Sequence, residues 1–181
     1  MKPYMNRHAF ALYLFLITLA LGSNLAYSAT ITWTNTSGGN WSIAANWSPH
    51  QVPTNTDNVL ITTPGTYTVA LDVGSPYYYS STNVANLTIG AGGGAAGLQT
   101  FLVTNLVAPS AFFVNSLLLV TNGGVLQMTN GYLAANSLMI ANGGVFNGKG
   151  ENLIVVSAIV DGGVFNTANG SLAYSIPLSM H

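Results

Sequence analysis

Short apolar runs alternate with turns rich in Asn and Gly along the second half of the chain. Three copies of an Asn/Asp-Gly-Gly-Val motif recur at intervals of about twenty residues and begin at Asn122, Asn142 and Asp161. An apolar, strand-like run precedes each copy, at 116–120, 137–141 and 153–156. Self-similarity at a fixed period of this length is typical of a repeat architecture. Because Asp161 falls at the motif position of Asn122 and Asn142, we expect a turn residue there rather than a catalytic acid.

Repeats of this composition predict a β-solenoid, in which short strands stack and turns form the corners. Glycine supplies the positive φ that a sharp corner needs, and Asn or Asp tolerates the left-handed region. Frequent Gly together with abundant Thr, Val and Asn opposes the helical alternative, so we expect no helix beyond the N-terminal segment. The predicted fold class is all-β: a right-handed parallel β-helix with coils of about 20 residues, apolar runs inside and Thr and Asn outside. A degenerate earlier copy begins at Asn86, with an insertion before the next unit at Asn115.

The first 28 residues have the pattern of a secretory signal peptide. Lys2, Arg7 and His8 precede an apolar run at 9–21, which is shorter than the roughly 20 residues that a membrane-spanning helix needs. Small residues at 26 and 28 predict cleavage after Ser28. The alternative is an uncleaved single-helix anchor. Every later apolar run is interrupted by Asn, Gly or Thr, so we expect no transmembrane anchor in the exported part and an extracellular or cell-surface location.

Charge is scarce: only 4% of the residues are Asp, Glu, Lys or Arg, against about 25% in ordinary soluble domains. After the predicted cleavage, one cation remains against four carboxylates, namely Lys149 against Asp57, Asp72, Glu151 and Asp161. A nucleic-acid partner is excluded, because phosphate binding requires many more basic residues. The absence of Cys excludes a disulfide framework and thiolate chemistry.

The few titratable residues do not suggest a catalytic or metal site. Glycoside hydrolysis needs two carboxylates across the scissile bond, and the spacing of these four indicates no such pair. The exported part has no Arg, and its only His residues are His50 and His181. The Gly-rich stretch at 90–97 contains no Asp to bind calcium and no following Lys to bind phosphate. We therefore predict no catalytic residue, no metal site and no cofactor.

A different pattern, with three Trp residues, occupies the region before the repeats. It runs W…GxW…NWS…P…P…D…V…I, and its matching residues are Trp33, Trp41, Asn46, Trp47, Pro53, Asp57, Val59 and Ile61. This block resembles the opening of large secreted bacterial β-helix proteins of the autotransporter-associated β-strand-repeat and PEP-CTERM-linked kind. The resemblance extends over roughly residues 30 to 170, although only this block is distinctive. It implies an extracellular or surface-exposed right-handed β-helix, often much longer than this chain and often of unassigned activity.

Two aromatic groups are the candidate contact residues. The Trp residues are best explained as an N-terminal cap on the solenoid core, and the alternative is a platform on which sugar rings stack. Tyr77, Tyr78 and Tyr79 alternate in direction if they lie in a strand, so at least one ring is expected to be exposed. The predicted contact set for a carbohydrate or other partner is Tyr77, Tyr78, Tyr79, Trp41 and Trp47.

The sequence predicts three segments: a signal peptide at 1–28, a cap with the first strands at 29–85, and solenoid repeats at 86–181. The chain ends at His181 inside a repeat, and an open end exposes unpaired strand edges. We therefore expect either a truncated or partial product or an end that self-associates or is covered by a partner. The leading hypothesis is a secreted or cell-surface structural or adhesive β-solenoid, part of a larger extracellular protein, that contacts a glycan or a surface protein. The alternatives are a β-helix that binds or cleaves a neutral polysaccharide and a self-assembling matrix component.

Overall fold

A computed structural model describes residues 28–72, 81–91, 97–104, 111–129, 131–149, 152–168, 171–174 and 178–180. These residues form strands joined by short turns, with one single-turn 3-10 helix at Ala44–Asn46. The strands are β1 (Thr30–Trp33), β2 (Gly39–Asn40), β3 (Trp47–Ser48), β4 (Asn58–Ile61), β5 (Tyr67–Leu71), β6 (Thr82–Val84), β7 (Asn86–Ile89), β8 (Gln99–Val103), β9 (Phe112–Val120), β10 (Gly124–Met128), β11 (Tyr132–Ala141), β12 (Val145–Lys149), β13 (Asn152–Asp161), β14 (Val164–Ala168), β15 (Ser171–Tyr174) and β16 (Leu178–Met180).

The strands form two sheets. Sheet A has ten strands in the order β15-β13-β11-β9-β7-β4-β1-β3, with β16 beside β13 and β6 beside β9. Sheet B has six, in the order β14-β12-β10-β8-β5-β2. Neighbouring strands pair in parallel, except that β3 runs antiparallel to β1 at the edge of sheet A. The described chain is therefore nearly all β with parallel sheets, which confirms the all-β prediction.

Paired positions repeat at intervals of about twenty residues late in the chain and at longer intervals before that. Ser137 and Ser157 are 20 residues apart and Asn147 and Asn166 are 19 apart, which confirms the predicted period of about twenty residues for this part. Earlier units are longer, with Asn58 and Asn86 separated by 28 residues. Leu87 pairs with Leu118, so the degenerate copy that begins at Asn86 is in register with the repeats despite its insertion.

The inward-facing apolar side chains of the described strands form one cluster, with members from Ile31 to Val160. In β11, Leu133 and Ala135 point inward, the exposed Asn136 interrupts the alternation, and Leu138 and Ile140 point inward again. The register between β11 and β9 shifts at this position, as it does at a β-bulge. Each long strand therefore bends and supplies two inward-facing halves.

The expectation that Thr and Asn cover the outside is wrong for the long strands of sheet A. Leu119, Met139 and Ile159 stand in one column on the outward face, and Ile159 is 42% exposed. Side chains in such a column are about 4.8 Å apart and shield one another, so Leu119 and Met139 are only partly exposed. The 9- and 10-residue strands are thus apolar on both faces.

Two consecutive glycines in each turn serve different purposes. Gly123, Gly143 and Gly162 adopt φ values of +77°, +80° and +66°, and a side chain is strained in that conformation. A Cβ on the second glycine would collide with the strand beneath, at 2.3 Å from the carbonyl oxygen of Val120 for Gly144. The predicted alignment of Asp161 with Asn142 is off by one residue in sheet A. Asp161 ends β13 and pairs with Ala141, because the unit between Asn142 and Asp161 has 19 residues instead of 20.

Candidate functional site

The three Trp residues meet at the end of the array where β3 and β2 are the last strands of sheets A and B. The rings of Trp33 and Trp47 lie edge to face with centroids 4.9 Å apart, and those of Trp41 and Trp47 lie edge to face at 4.8 Å. Trp41 also reaches into the core, where its ring lies 5.4 Å from Phe101 and 5.5 Å from Phe112. All three indoles are fully buried.

Hydrogen bonds fix two of the indoles. Trp47 Nε1 donates to the carbonyl oxygen of Trp41 at 2.8 Å, and Trp33 Nε1 donates to the carbonyl oxygen of Asn35 at 2.6 Å. Trp41 Nε1 is buried without an acceptor among the described residues, and its ring is surrounded by other aromatic rings. The cluster therefore closes one end of the apolar core.

The burial of the indoles bears on the predicted contact residues. Neither Trp41 nor Trp47 has an exposed ring face, so neither can stack on a sugar ring in this structure. Their positions match the cap interpretation rather than the platform. The remaining predicted contact residues, Tyr77, Tyr78 and Tyr79, lie outside the described residues.

A polar network ties the loop between β1 and β3 together. Asn35 Nδ2 donates to the carbonyl oxygen of Gly38 at 2.8 Å and to Asn46 Oδ1 at 2.9 Å. Asn46 Nδ2 in turn donates to the carbonyl oxygen of Asn40 at 3.0 Å. Asn46 thus holds the 3-10 turn against β2, which orients Trp41 and Trp47 on either side of it.

Asp57 is a structural carboxylate. It is 2% exposed and accepts hydrogen bonds from the backbone nitrogen and the hydroxyl of Thr54, both at 2.7 Å. Its carbonyl oxygen accepts from the backbone nitrogens of Ala85 and Asn86 in the next unit. The eight residues of the N-terminal motif are all buried, and they are Trp33, Trp41, Asn46, Trp47, Pro53, Asp57, Val59 and Ile61. The motif therefore encodes packing and turn geometry.

The other titratable groups of the described chain are dispersed. Asp72 accepts from the backbone nitrogen and hydroxyl of Ser42, at 2.9 and 2.5 Å, and His50, Lys149 and Asp161 are exposed. No group of three or more His, Asp or Glu side chains with metal-binding spacing occurs within the described ranges. Glu151 lies outside those ranges.

Among the residues that the structure describes, we find no helix with the length and hydropathy to cross a bilayer.

The Tyr67 phenol is buried beside the Trp cluster. Its ring stacks on Trp33 at 6.4 Å, and its hydroxyl donates to the carbonyl oxygen of Thr63 at 2.9 Å. Burial raises the pKa of the Tyr67 phenol to about 12, and the contacts with Thr63 oppose that rise. The phenol is thus a protonated hydrogen-bond donor at physiological pH.

Gln99 is a buried polar residue that sequence reasoning missed. It occupies an inward position of β8 with no exposed surface. Its Nε2 donates to the carbonyl oxygen of Gly65 at 2.6 Å, and its Oε1 accepts from the backbone nitrogen of Ala91 at 3.0 Å. Gln99 therefore joins the turns of two adjacent units, and its place two residues after the Gly-rich stretch is the only signal in the sequence.

A polar cleft of about 520 Å³ lies on the outer face of sheet B, at its N-terminal edge. Side chains from three successive units line it: Ser37 and Asn40 from the first, Thr66 and Thr68 from the second, and Leu98 and Thr100 from the third. None of the described residues that line it is charged. A second opening of about 260 Å³ runs between Phe113 and Ile154 over Ala134, on the outer face of sheet A.

Comparison with other proteins found no match: no protein-family description fits the chain, and neither the curated proteins nor the solved structures contain a significantly similar one.

Proposed function

We propose that the chain is a secreted or cell-surface β-solenoid with a structural or adhesive role, and part of a larger extracellular protein. In this proposal the stacked units form a right-handed parallel β-helix, the hand that parallel crossover connections almost always take. Residues 1–28 direct export, and the product resembles the β-helix proteins of the autotransporter-associated and PEP-CTERM-linked kind.

The observation that carries the proposal is the in-register repetition of the turn unit in both sheets. Val125, Val145 and Val164 pair in one column of sheet B. Leu138 and Ala158 pair in a column of sheet A at the same period. Each unit contacts its neighbours through backbone pairing and through side-chain bonds such as the one from Asn166 to Asn147 at 2.9 Å. Such an array supplies a long surface rather than a single pocket, which suits a scaffold.

The surface composition supports an extracellular role. The described outer faces carry Thr, Asn, Val and Leu and few charges, consistent with 4% charged residues in the whole chain. Asp57 and Asp72, two of the carboxylates that a hydrolase would need, are already engaged by Thr54 and Ser42. The proposal is therefore a non-enzymatic one.

Export is tested by producing the full chain in a bacterial host and measuring the intact mass of the product released from the cytoplasm. The expected product begins at Ala29, and the variant Ala26→Arg, which places a bulky charge at the −3 position, accumulates unprocessed. A wild-type product of full mass that stays in the cytoplasmic fraction contradicts the proposal.

Adhesion is tested on cells that display the chain, by counting cells retained on glycan-coated and uncoated surfaces. Cells that display Gly144→Ala are the comparison. This substitution forces the strand beneath the turn to move and leaves the outward-facing side chains unchanged. We expect retention by the wild type and its loss in the variant. Equal retention of displaying and non-displaying cells on every surface would exclude the adhesive role.

The second candidate function is binding of a neutral polysaccharide, and the observation that favours it is the uncharged polar cleft on sheet B. This candidate needs no catalytic pair. It is compatible with the scaffold, since an adhesive solenoid requires a surface that recognises a ligand.

A further inference from the structure

The cleft on sheet B owes its shape to the very short strand β2. Only Gly39 and Asn40 of β2 pair with β5, opposite Val69 and Ala70, so the edge of β5 before Val69 has no paired strand on that side, next to the turn that precedes β2. Gly38 has a φ of +80° and lies against Thr68. A Cβ on Gly38 would be 2.7 Å from the carbonyl oxygen of Thr68. Gly38 and Gly39 therefore line one side of the cleft with backbone alone, and Ser37 lines the cleft next to them.

The floor of the cleft is formed by side chains of the second and third units. Thr68 and Thr100 are paired neighbours in β5 and β8, so their hydroxyls project side by side about 4.8 Å apart. Thr66 lies next to Leu98, whose backbone nitrogen donates to the Thr66 hydroxyl at 3.3 Å. Leu98 is 54% exposed and offers the largest apolar surface at the cleft.

Within the part of the chain that the structure describes, the polar side chains of the cleft have no hydrogen-bond partner, unlike polar side chains around it. The side chains of Ser37, Asn40, Thr68 and Thr100 form no hydrogen bond with another described residue. Nearby side chains of the same types are engaged, as Asn35 is with Asn46 and Ser42 is with Asp72. Four hydroxyl or amide groups that converge on one cleft are thus available to a ligand.

The chemistry of the lining selects the class of ligand. Hydroxyl and amide groups both donate and accept hydrogen bonds, which suits a ligand that is itself rich in hydroxyls. No described side chain that lines the cleft is charged, so none can form an ion pair with a ligand. A sugar ring presents hydroxyls at its rim and an apolar face, for which Leu98 is a complementary surface. A small number of convergent polar groups around an apolar patch is the usual composition of a site for a small ligand.

We infer that this cleft binds a neutral oligosaccharide segment, laid across the first three units of sheet B. The inference rests on the second proposed function and gives it a location. Thr68 and Thr100 are its central hydrogen-bonding residues, Ser37 and Asn40 flank the ligand on one side, and Leu98 packs against a ring face on the other.

Affinity electrophoresis of the folded full chain tests the inference, with hydroxyethyl cellulose, galactomannan or dextran in the gel and polygalacturonate as the anionic comparison. The test variant is Thr68→Val/Thr100→Val. It removes both hydroxyls at little cost to the fold, because Val125 and Val145 occupy the same column in the next two units. The matched control is Thr88→Val, which removes an outward hydroxyl from sheet A, in the column of Leu60 and Leu119.

We expect retardation of the wild type by at least one neutral polysaccharide and not by polygalacturonate. The double variant should bind that polysaccharide about tenfold more weakly, the effect of losing one or two hydrogen bonds, and Thr88→Val should bind as the wild type does. If the wild type binds and the double variant binds equally well, the cleft is not the site although the carbohydrate function stands. If the wild type binds none of the three, both the cleft and that function are excluded, while the scaffold proposal is unaffected.

Discussion

Trp33 and Trp47 face each other across the antiparallel pair of β1 and β3, with ring planes at 88° and centroids 4.9 Å apart. This is the edge-to-face arrangement that aromatic pairs prefer. The antiparallel strand ends sheet A, and the indole of Trp47 covers the core at that end. The cap therefore combines a change of strand direction with a large buried side chain.

Replacing Trp47 by Ala should destabilise the fold by about 3–5 kcal/mol, because it opens a cavity at the cap and removes the bond to Trp41. Trp47→Phe keeps an aromatic ring and should cost clearly less. Urea denaturation followed by far-UV circular dichroism measures both. Equal losses for the two variants would show that the indole does not fill the cap as described.

The paired glycines of the turns give a second prediction. Gly144→Ala places a Cβ 2.3 Å from the carbonyl oxygen of Val120, so the strand beneath must move, and we expect a loss of about 3 kcal/mol. In Gly143→Ala the nearest atom to the new Cβ is Asn122 Oδ1, at 3.9 Å, so there is no clash. The strain of an alanine at a φ of +80° should lower stability by about 1 kcal/mol. Thermal denaturation of the two variants compares them directly. A larger loss for Gly143→Ala than for Gly144→Ala would contradict the stacking distance between turns.

The repeats were predictable because each unit carries the same signals in the same order. Val145 follows two glycines and pairs with Val125 and Val164, as the motif spacing requires. A strand of alternating apolar residues between such turns has one way to bury its inward side chains. The period and the all-β class therefore follow from the sequence alone.

The departures from prediction have local causes. The exposed Asn136 bends β11 so that Leu133 and Leu138 can both point inward, although they are five positions apart and would lie on opposite faces of a regular strand. Asp161 moves opposite Ala141 because its unit lacks one residue. The spacing of the motifs shows that a unit is one residue shorter but not where along the unit the residue is missing, and no motif marks the bulge at Asn136.

The candidate site was harder to predict than the fold. The indole of Trp41 looks the same in sequence whether it caps a core or binds a sugar, and only its complete burial separates the two roles. Ser37, Thr68 and Thr100 come from three units of unequal length, so their convergence depends on the register of β2, β5 and β8. That register is not encoded in any local pattern.

An amide ladder along the longer units gives a third prediction. Asn86 Nδ2 donates to Asn58 Oδ1 at 2.6 Å, and Asn86 Oδ1 accepts from the backbone nitrogen of Leu117 at 3.0 Å. Asn86→Ala leaves that backbone nitrogen without its partner, so we expect a loss of about 2 kcal/mol. Asn115→Ala removes an exposed amide that bonds the carbonyl oxygen of Asn55, and should cost less than about 0.5 kcal/mol.

Hydrogen exchange of the Leu117 amide provides the site-specific measurement for this pair. Exchange should accelerate in Asn86→Ala beyond what the change in global stability explains, and it should be unaltered in Asn115→Ala. Unchanged protection of Leu117 in Asn86→Ala would mean that the ladder does not hold the insertion-bearing unit in register.

The buried phenol of Tyr67 makes stability depend on pH in the alkaline range. Its pKa is about 12 in the folded chain against 10.0 for an ordinary tyrosine, so between these values the unfolded state releases the proton first. The unfolded state then binds fewer protons than the folded state, and stability falls as pH rises, by about 1.4 kcal/mol per unit for this group. The contribution is complete below pH 10 and is lost by about pH 12.

Tyr67→Phe removes this slope and also the bond to the carbonyl oxygen of Thr63, which is worth about 1 kcal/mol. The wild type should therefore be the more stable protein at pH 9, and the variant should become the more stable one before pH 12. The other eight of the nine tyrosines are common to both proteins, so their titration cancels in the comparison. Urea denaturation at pH 9, 10, 11 and 12 measures the difference. A difference that stays constant over this range would show that the Tyr67 phenol titrates normally and is not buried against Trp33 as described.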